Sequence, residues 1–326
     1  MADLMRRALL IYNPGAGRFP SWLLAERAAG ILRRYGWDVL IEKTLDGDHI
    51  TSLANQAVDE GMEALFVVGG DGSLNRALPA LVGSQTALAH LPAGTANVWA
   101  QEIGLPTLAW TRWFALEQSA RSLANGRTCV VDVGMCNQNP FLLWAGVGLD
   151  AFVVHRIEPR SRRDKNFAIV QYAASVLWNA RNWEGMSLRV RTNGAEIQGH
   201  FLLAVISNIH QYAGGLATLS PDALLDDGIM DLWLFEGKSI IDTVQRAWDL
   251  WSGGHVQSEH VRCIPFRQIT LESEEDLFVQ LDGEPFSGDK STDIEVLPRS
   301  LRVLLPEKTP KMLIGAPQTS RVNEEA

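Results

Sequence analysis

Four times in the first hundred residues a short apolar run gives way to a helical pattern, and no other feature constrains the fold as much. The run RALLIYN precedes SWLLAERAAGILRRYG, where Leu23, Leu24, Ala28, Ile31 and Leu32 recur at helical spacing behind Ser21 as the cap. WDVLIEK leads to HITSLANQAVDEG, EALFVVGG to SLNRALPALVG, and TALAHLPAG to TANVWAQEIG. Strands alternating with helices build a parallel sheet covered by helices, so this half is expected to be α/β. Three of the four strands end in a glycine-bearing loop: NPGAG, GGDGS and PAGTAN. Ligands of open α/β sheets bind at the carboxyl ends of the strands, so these loops are expected to line one site.

After LAWTRWFALEQSARSLANG the character changes near Arg127. TCVVDVGMC, FLLWAGVGLDAF, MSLRVRTN, EIQGHFLLAVISNI, IMDLWLFEG, RQITLES, LFVQLDGEPF and STDIEVLPRSLRVLLP follow as short strands with turns between them. That pattern predicts a β-rich, antiparallel sandwich, interrupted by helices over Phe167 to Trp183 and Ser239 to Trp251. The expected organisation is an α/β domain over 1–127, a β-sandwich-like domain over 128–306 and a tail over 307–326.

Composition excludes several classes. Hydrophobic residues at 46% and charged residues at 21% match a globular chain rather than a disordered one. A net charge of -9 argues against nucleic acid as a partner. Cys129, Cys136 and Cys263 are odd in number and lack zinc spacing, which points to a reducing cytoplasm. The N-terminal run reads as a core strand rather than a signal peptide, and no apolar stretch nears the ~18 residues of a membrane span. Any membrane contact is then peripheral.

Familiar phosphate loops fit poorly. Gly15 and Gly17 have Pro20, not glycine, three residues on, so the dinucleotide fingerprint fails. EGKS at Glu236 to Ser239 has Leu232 five residues before Gly237, where the Walker loop needs glycine. No G-x-S-x-G or H-E-x-x-H occurs.

Taken together, NPGAG, GGDGSLN, LPAGTAN and LDGEP stand in the order and rough spacing of the diacylglycerol kinase catalytic family, which includes bacterial lipid kinases and sphingosine-type kinases. The resemblance runs from about Leu9 to Leu305. GGDG alone is shared with NAD kinases. The resemblance implies an ATP site from Asn13, Pro14, Gly15, Ala16 and Gly17, from Thr44, from Gly69, Gly70, Asp71, Gly72, Ser73, Leu74 and Asn75, and from Thr95. It implies Mg2+ held through water by a carboxylate network that includes Asp71 and Asp132, and a catalytic base within Asp282-Gly283-Glu284. It also implies a structural metal at Asp227 and the carbonyls of Leu224 and Ile229. Two positions depart from the family: Val98 stands where an acid often follows the Asn of GTxN, and Ala16 replaces a hydroxyl residue.

Each site has a second reading. Asp71 suits an N-cap of the following helix as well as a metal network. Asp282-Gly283 suits a hairpin turn as well as catalysis. Arg156, Arg160, Arg162, Arg163 and Lys165 suit a solvated face or a dock for anionic headgroups. Trp248 and Trp251 are expected in core or domain packing. The function expected is an ATP-dependent lipid kinase acting on a hydroxyl of diacylglycerol or a sphingoid base, with its site in the cleft between the domains. Two other classes stay open: a nucleotide- or lipid-binding regulator without turnover, to which Val98 points, and an NAD or sugar kinase. A homo-oligomer is compatible with all three.

Overall fold

β1 (Arg6–Tyr12), β3 (Ala64–Gly69) and, apart from His90, β4 (Ala87–Pro92) are apolar at their centres because the sheet they form is covered on both faces, and every residue of β3 and β4 is buried. β2 (Trp37–Lys43) lies at the edge, burying Trp37 and Val39 while Asp38 and Leu40 face out. All pairings are parallel, with Tyr12 opposite Lys43 and Val68, and Gly69 opposite Pro92. The helices are α1 (Ser21–Arg34), α2 (Gly47–Asp59), α3 (Asp71–Leu81), α4 (Val98–Glu102) and α5 (Ala115–Ala124). The computed structural model describes residues 6–14, 21–108, 112–157, 183–192, 194–310 and 313–315. Gly15, Ala16, Gly17, Arg160, Arg162, Arg163, Lys165 and most of the expected helix over 167–183 lie outside them.

The chain divides into two units. One takes the residues up to Val131 together with Arg299–Ile314, and the other takes Asp132–Pro298 together with Gly315. The first unit therefore gains a segment expected in the sandwich or the tail. Its Val303 pairs in parallel with Leu88 and extends the sheet beyond β4.

The second unit is antiparallel. The remaining strands are β5 (Arg127–Cys136), which passes from the first unit into the second after Val131, β6 (Asn139–Phe141), β7 (Trp144–Gly148), β8 (Met186–Thr192), β9 (Ala195–Ser207), the short pair β10 (Gln211–Tyr212) and β11 (Ala217–Thr218), β12 (Met230–Glu236), β13 (Val261–Phe266), β14 (Gln268–Glu272), β15 (Phe278–Leu281), β16 (Glu284–Ser287) and β17 (Ser291–Leu305), which passes back into the first unit from Arg299. β9 pairs β8 along its first half and both β7 and β12 along its second, so the sheet forks there. The two leaves close over one core that includes Val147, Leu188, Phe201, Leu232, Ile269 and Val279.

Two expectations are corrected here. FLLWAGVGLDAF does not stay extended: Gly148, at φ +93°, ends β7, and α6 (Leu149–Ile157) begins at the next residue. Trp248 and Trp251, expected in packing, are 62% and 66% exposed on the helix Ile240–Ser252. Among the described residues no helix is long and apolar enough to cross a membrane.

Candidate active site

The parallel register brings the expected nucleotide residues to one edge of the first unit. Asn13 follows β1 and donates to Val68 O at 3.4 Å; Thr44 follows β2 and donates its N–H to Tyr12 O at 3.0 Å. Beyond β3 and β4 the two glycine loops meet back to back. A Cβ on Gly94 would sit 2.5 Å from Gly70 Cα and 2.8 Å from Asn97 Oδ1, so both loops are glycine because their backbones touch. The Gly69 carbonyl locks them together, accepting from Ala93 N at 2.9 Å, Gly94 N at 3.2 Å and His90 Nε2 at 3.0 Å. Asn97, in the left-handed region at φ 53°, closes the second loop with a reciprocal pair of bonds to Gly94. Thr95 is left exposed on it.

The first loop runs directly into α3, capped by Gly70. The intrahelical ladder starts where Ser73 N donates to Gly70 O at 2.9 Å, so the amides of Asp71 and Gly72 stand outside it at the positive end of the helix. Backbone without side chains beside a helix N-terminus fits the phosphates of a nucleotide. Asp71 caps a helix, but not the one expected: its Oδ2 accepts from Val98 N at 2.9 Å and its Oδ1 from Trp99 N at 3.1 Å, the open end of α4. Each oxygen spends one acceptor site on the backbone, so the half-buried carboxylate still fits a hydrated cation reached through water. Val98 is buried, so its side chain belongs to the core.

His90 was not anticipated as part of this site. It is wholly buried, and burial lowers its pKa, outweighing the Asp71 carboxylate and the Gly69 carbonyl that raise it. The neutral ring therefore donates from Nε2 to Gly69, and Nδ1 has no partner. The signal lay in a histidine amid the apolar run TALAHLPAG.

Asp132 is drawn into the second unit. Its carboxylate accepts from Gly228 N at 2.7 Å, and its N–H donates to Leu225 O at 2.6 Å. It thus joins the loop expected to hold a structural metal at Leu224, Asp227 and Ile229. In that loop Asp227 Oδ1 accepts from Ile229 N at 3.1 Å, and Asp226 accepts from Gly315 N at 2.9 Å. Among the described residues no group of three His, Cys, Asp or Glu side chains is placed to hold a metal ion.

LDGEP forms a two-residue hairpin: Leu281 pairs with Glu284, and Asp282 and Gly283 sit at φ 50° and 87°, as a type I′ turn needs. Period-two alternation therefore breaks between the two acids. Asp282 is buried and its carboxylate accepts three backbone amides, from Leu142 at 2.9 Å, Leu143 at 2.8 Å and Trp144 at 3.1 Å. Glu284 opens β16 and is only half-buried. Beneath the turn, buried Gln280 donates to Asp150 Oδ2 at 2.8 Å and accepts from Gly283 N at 2.7 Å. Gly146 has no room for a Cβ, which would lie 2.4 Å from Asp150 Oδ2. Asp150 and Gln280 also escaped the sequence analysis, although GVGLDAF carries the acid behind two glycines.

The diacylglycerol kinase catalytic domain matches residues 7–136, and the YegS C-terminal NAD kinase beta sandwich-like domain matches residues 144–305. Together the two matches span most of the chain, and across both the chain resembles the diacylglycerol kinase family. It is 23% identical over 314 residues to the diacylglycerol kinase of Bacillus subtilis (strain 168), covering 95% of this chain and 99% of that one. It is 28% identical over 300 residues to the diacylglycerol kinase of Mycobacterium tuberculosis (strain CDC 1551 / Oshkosh), covering 90% and 93%. A crystal structure of a diacylglycerol kinase from Bacillus anthracis str. Sterne matches with a TM-score of 0.71 at 19% identity, over 94% of this chain and all of that one. Another from that organism reaches 0.77 at 21%. These two likenesses show the fold.

Proposed function

We propose that this protein transfers the γ-phosphate of ATP to a hydroxyl of a lipid such as diacylglycerol or a sphingoid base. The observation that carries the proposal is the contact of Gly70 with Gly94 beside the N-terminus of α3, where the amides of Asp71 and Gly72 face a polyphosphate and the second loop, without side chains at Gly94, lets it approach. Asn13, Thr44, Ser73, Asn75 and Thr95 complete the nucleotide site, and Mg2+, when bound, neutralises phosphate charge. Asp71 orients the water around that cation, and Asp132 fixes the loop Leu224–Ile229, where a second cation would sit on Asp227. Glu284 orients the acceptor hydroxyl and takes its proton, while Asp282 anchors the hairpin that presents Glu284.

A regulator without turnover is the second reading, and buried Val98 is what favours it, because one charge of the expected metal shell is missing. ATP hydrolysis by the purified protein in the presence of diacylglycerol, sphingosine, NAD or a sugar phosphate separates these readings. Stimulation by a lipid alone supports the kinase; stimulation by NAD or the sugar, or by nothing, overturns it.

A further inference from the structure

The helix Ile240–Ser252 leaves most of its apolar side chains outside. One side packs on the unit, where Ile240 lies against Leu149 and Val153 and the half-buried Arg246 donates to Ser258 Oγ at 2.8 Å and pairs with Asp249 at 3.0 Å. Thr243 is the residue it buries. Ile241, Val244, Trp248 and Trp251 recur at intervals of three, four and three residues along the opposite stripe, and all are exposed. The two tryptophan rings lie 5.2 Å apart, and exposed Val256 follows just past the helix end. A helix already packed on one side, with a further apolar stripe facing outward, is built for an apolar neighbour.

We propose that this stripe docks on a lipid bilayer, with the helix lying flat in the interface and Trp248 and Trp251 at headgroup level. The purpose of such docking rests on the lipid-kinase reading above. Three observations select a bilayer over a second copy of this chain. Tryptophan pairs an apolar body with a polar N–H and concentrates at membrane–water boundaries. A helix of 13 residues is about 20 Å long, enough to lie in the interface and too short to span it. The five apolar side chains expose on the order of 500 Å², short of the roughly 800 Å² per partner of a stable protein interface. The helix carries two acids against one arginine, so the attraction is apolar rather than electrostatic and is insensitive to salt. Docking through the basic residues around Arg156 would behave in the opposite way.

The test is flotation of the full chain with phosphatidylcholine vesicles, without ATP, at low and high salt. Wild type is expected to float at both salt concentrations. The variant Trp248→Ser/Trp251→Ser is expected to lose vesicle affinity about tenfold or more, with an unchanged melting temperature because both rings are exposed. Equal flotation of the variant overturns the proposal. So does binding that requires anionic lipid, or a variant whose only change is a smaller oligomer in lipid-free buffer, which would identify a second copy as the occupant. Vesicle binding without phosphoryl transfer to any lipid refutes the kinase reading alone. Transfer to detergent-dispersed lipid without vesicle binding refutes the docking face alone.

Discussion

Asp282→Asn exchanges one carboxylate oxygen for an amino group and leaves the turn intact, since Asn-Gly suits a type I′ turn as well as Asp-Gly does. The carboxylate holds the amides of Leu142, Leu143 and Trp144. After the exchange at least one of these buried donors faces another donor, which costs about 1–3 kcal/mol. The bonds that survive lose charge assistance, roughly 1 kcal/mol each. The total, about 3–5 kcal/mol, lowers the melting temperature by on the order of 10 °C in a unit of this size. Scanning calorimetry of Asp282→Asn beside Glu284→Gln reads the difference. Glu284→Gln is expected to melt with wild type and to lose turnover roughly a hundredfold, with ATP affinity kept. If Asp282→Asn melts with wild type and turnover collapses, Asp282 is the base and the anchoring argument fails.

Gly94→Ala should weaken binding of a fluorescent ATP analogue more than Gly70→Ala does, because the new Cβ would lie 2.5 Å from backbone in the first case and 3.2 Å in the second. Equal affinities for both variants would contradict the back-to-back packing. Val98→Asp should lower the melting temperature rather than the Mg2+ requirement, since the carboxylate replaces a buried side chain; a Mg2+ titration shifted to lower concentration, with stability kept, would show that position 98 reaches the cation. Burial holds the pKa of His90 below the ordinary 6.5, so as pH falls past that value the unfolded chain takes up a proton that the folded one refuses, and stability falls. His90→Gln should flatten this acid limb of the melting-temperature profile, and an unchanged limb would mean that His90 is not its source.

The alternation of apolar runs and helices made the first unit legible, because a parallel sheet covered on both faces needs uninterrupted runs such as that of β3. The glycine loops were legible for the same reason that they pack: their positions follow the strand ends. Side-chain partners were not. Asp71 stood out as an acid among glycines, yet its bonds reach residues 27 and 28 positions away. The Gln280 bond to Asp150 spans 130 positions, and the Asp132 bond to Gly228 spans 96. The helix over Ser239 to Trp251 was legible, but periodicity cannot tell which face turns inward, and apolar residues are inside more often than not, so Trp248 and Trp251 were placed in packing. The return of Val303 to β4 was hidden because STDIEVLPRSLRVLLP reads as one strand, with nothing marking the change of partner.

The central claim is that the paired glycine loops serve phosphoryl transfer to a lipid. The direct test incubates γ-labelled ATP and Mg2+ with a total lipid extract and either wild type or Gly94→Ala, then extracts the lipids and locates the label. Wild type is expected to label one lipid class, and the variant to give a greatly reduced yield. Label confined to water-soluble products, or equal lipid labelling by both proteins, would contradict it.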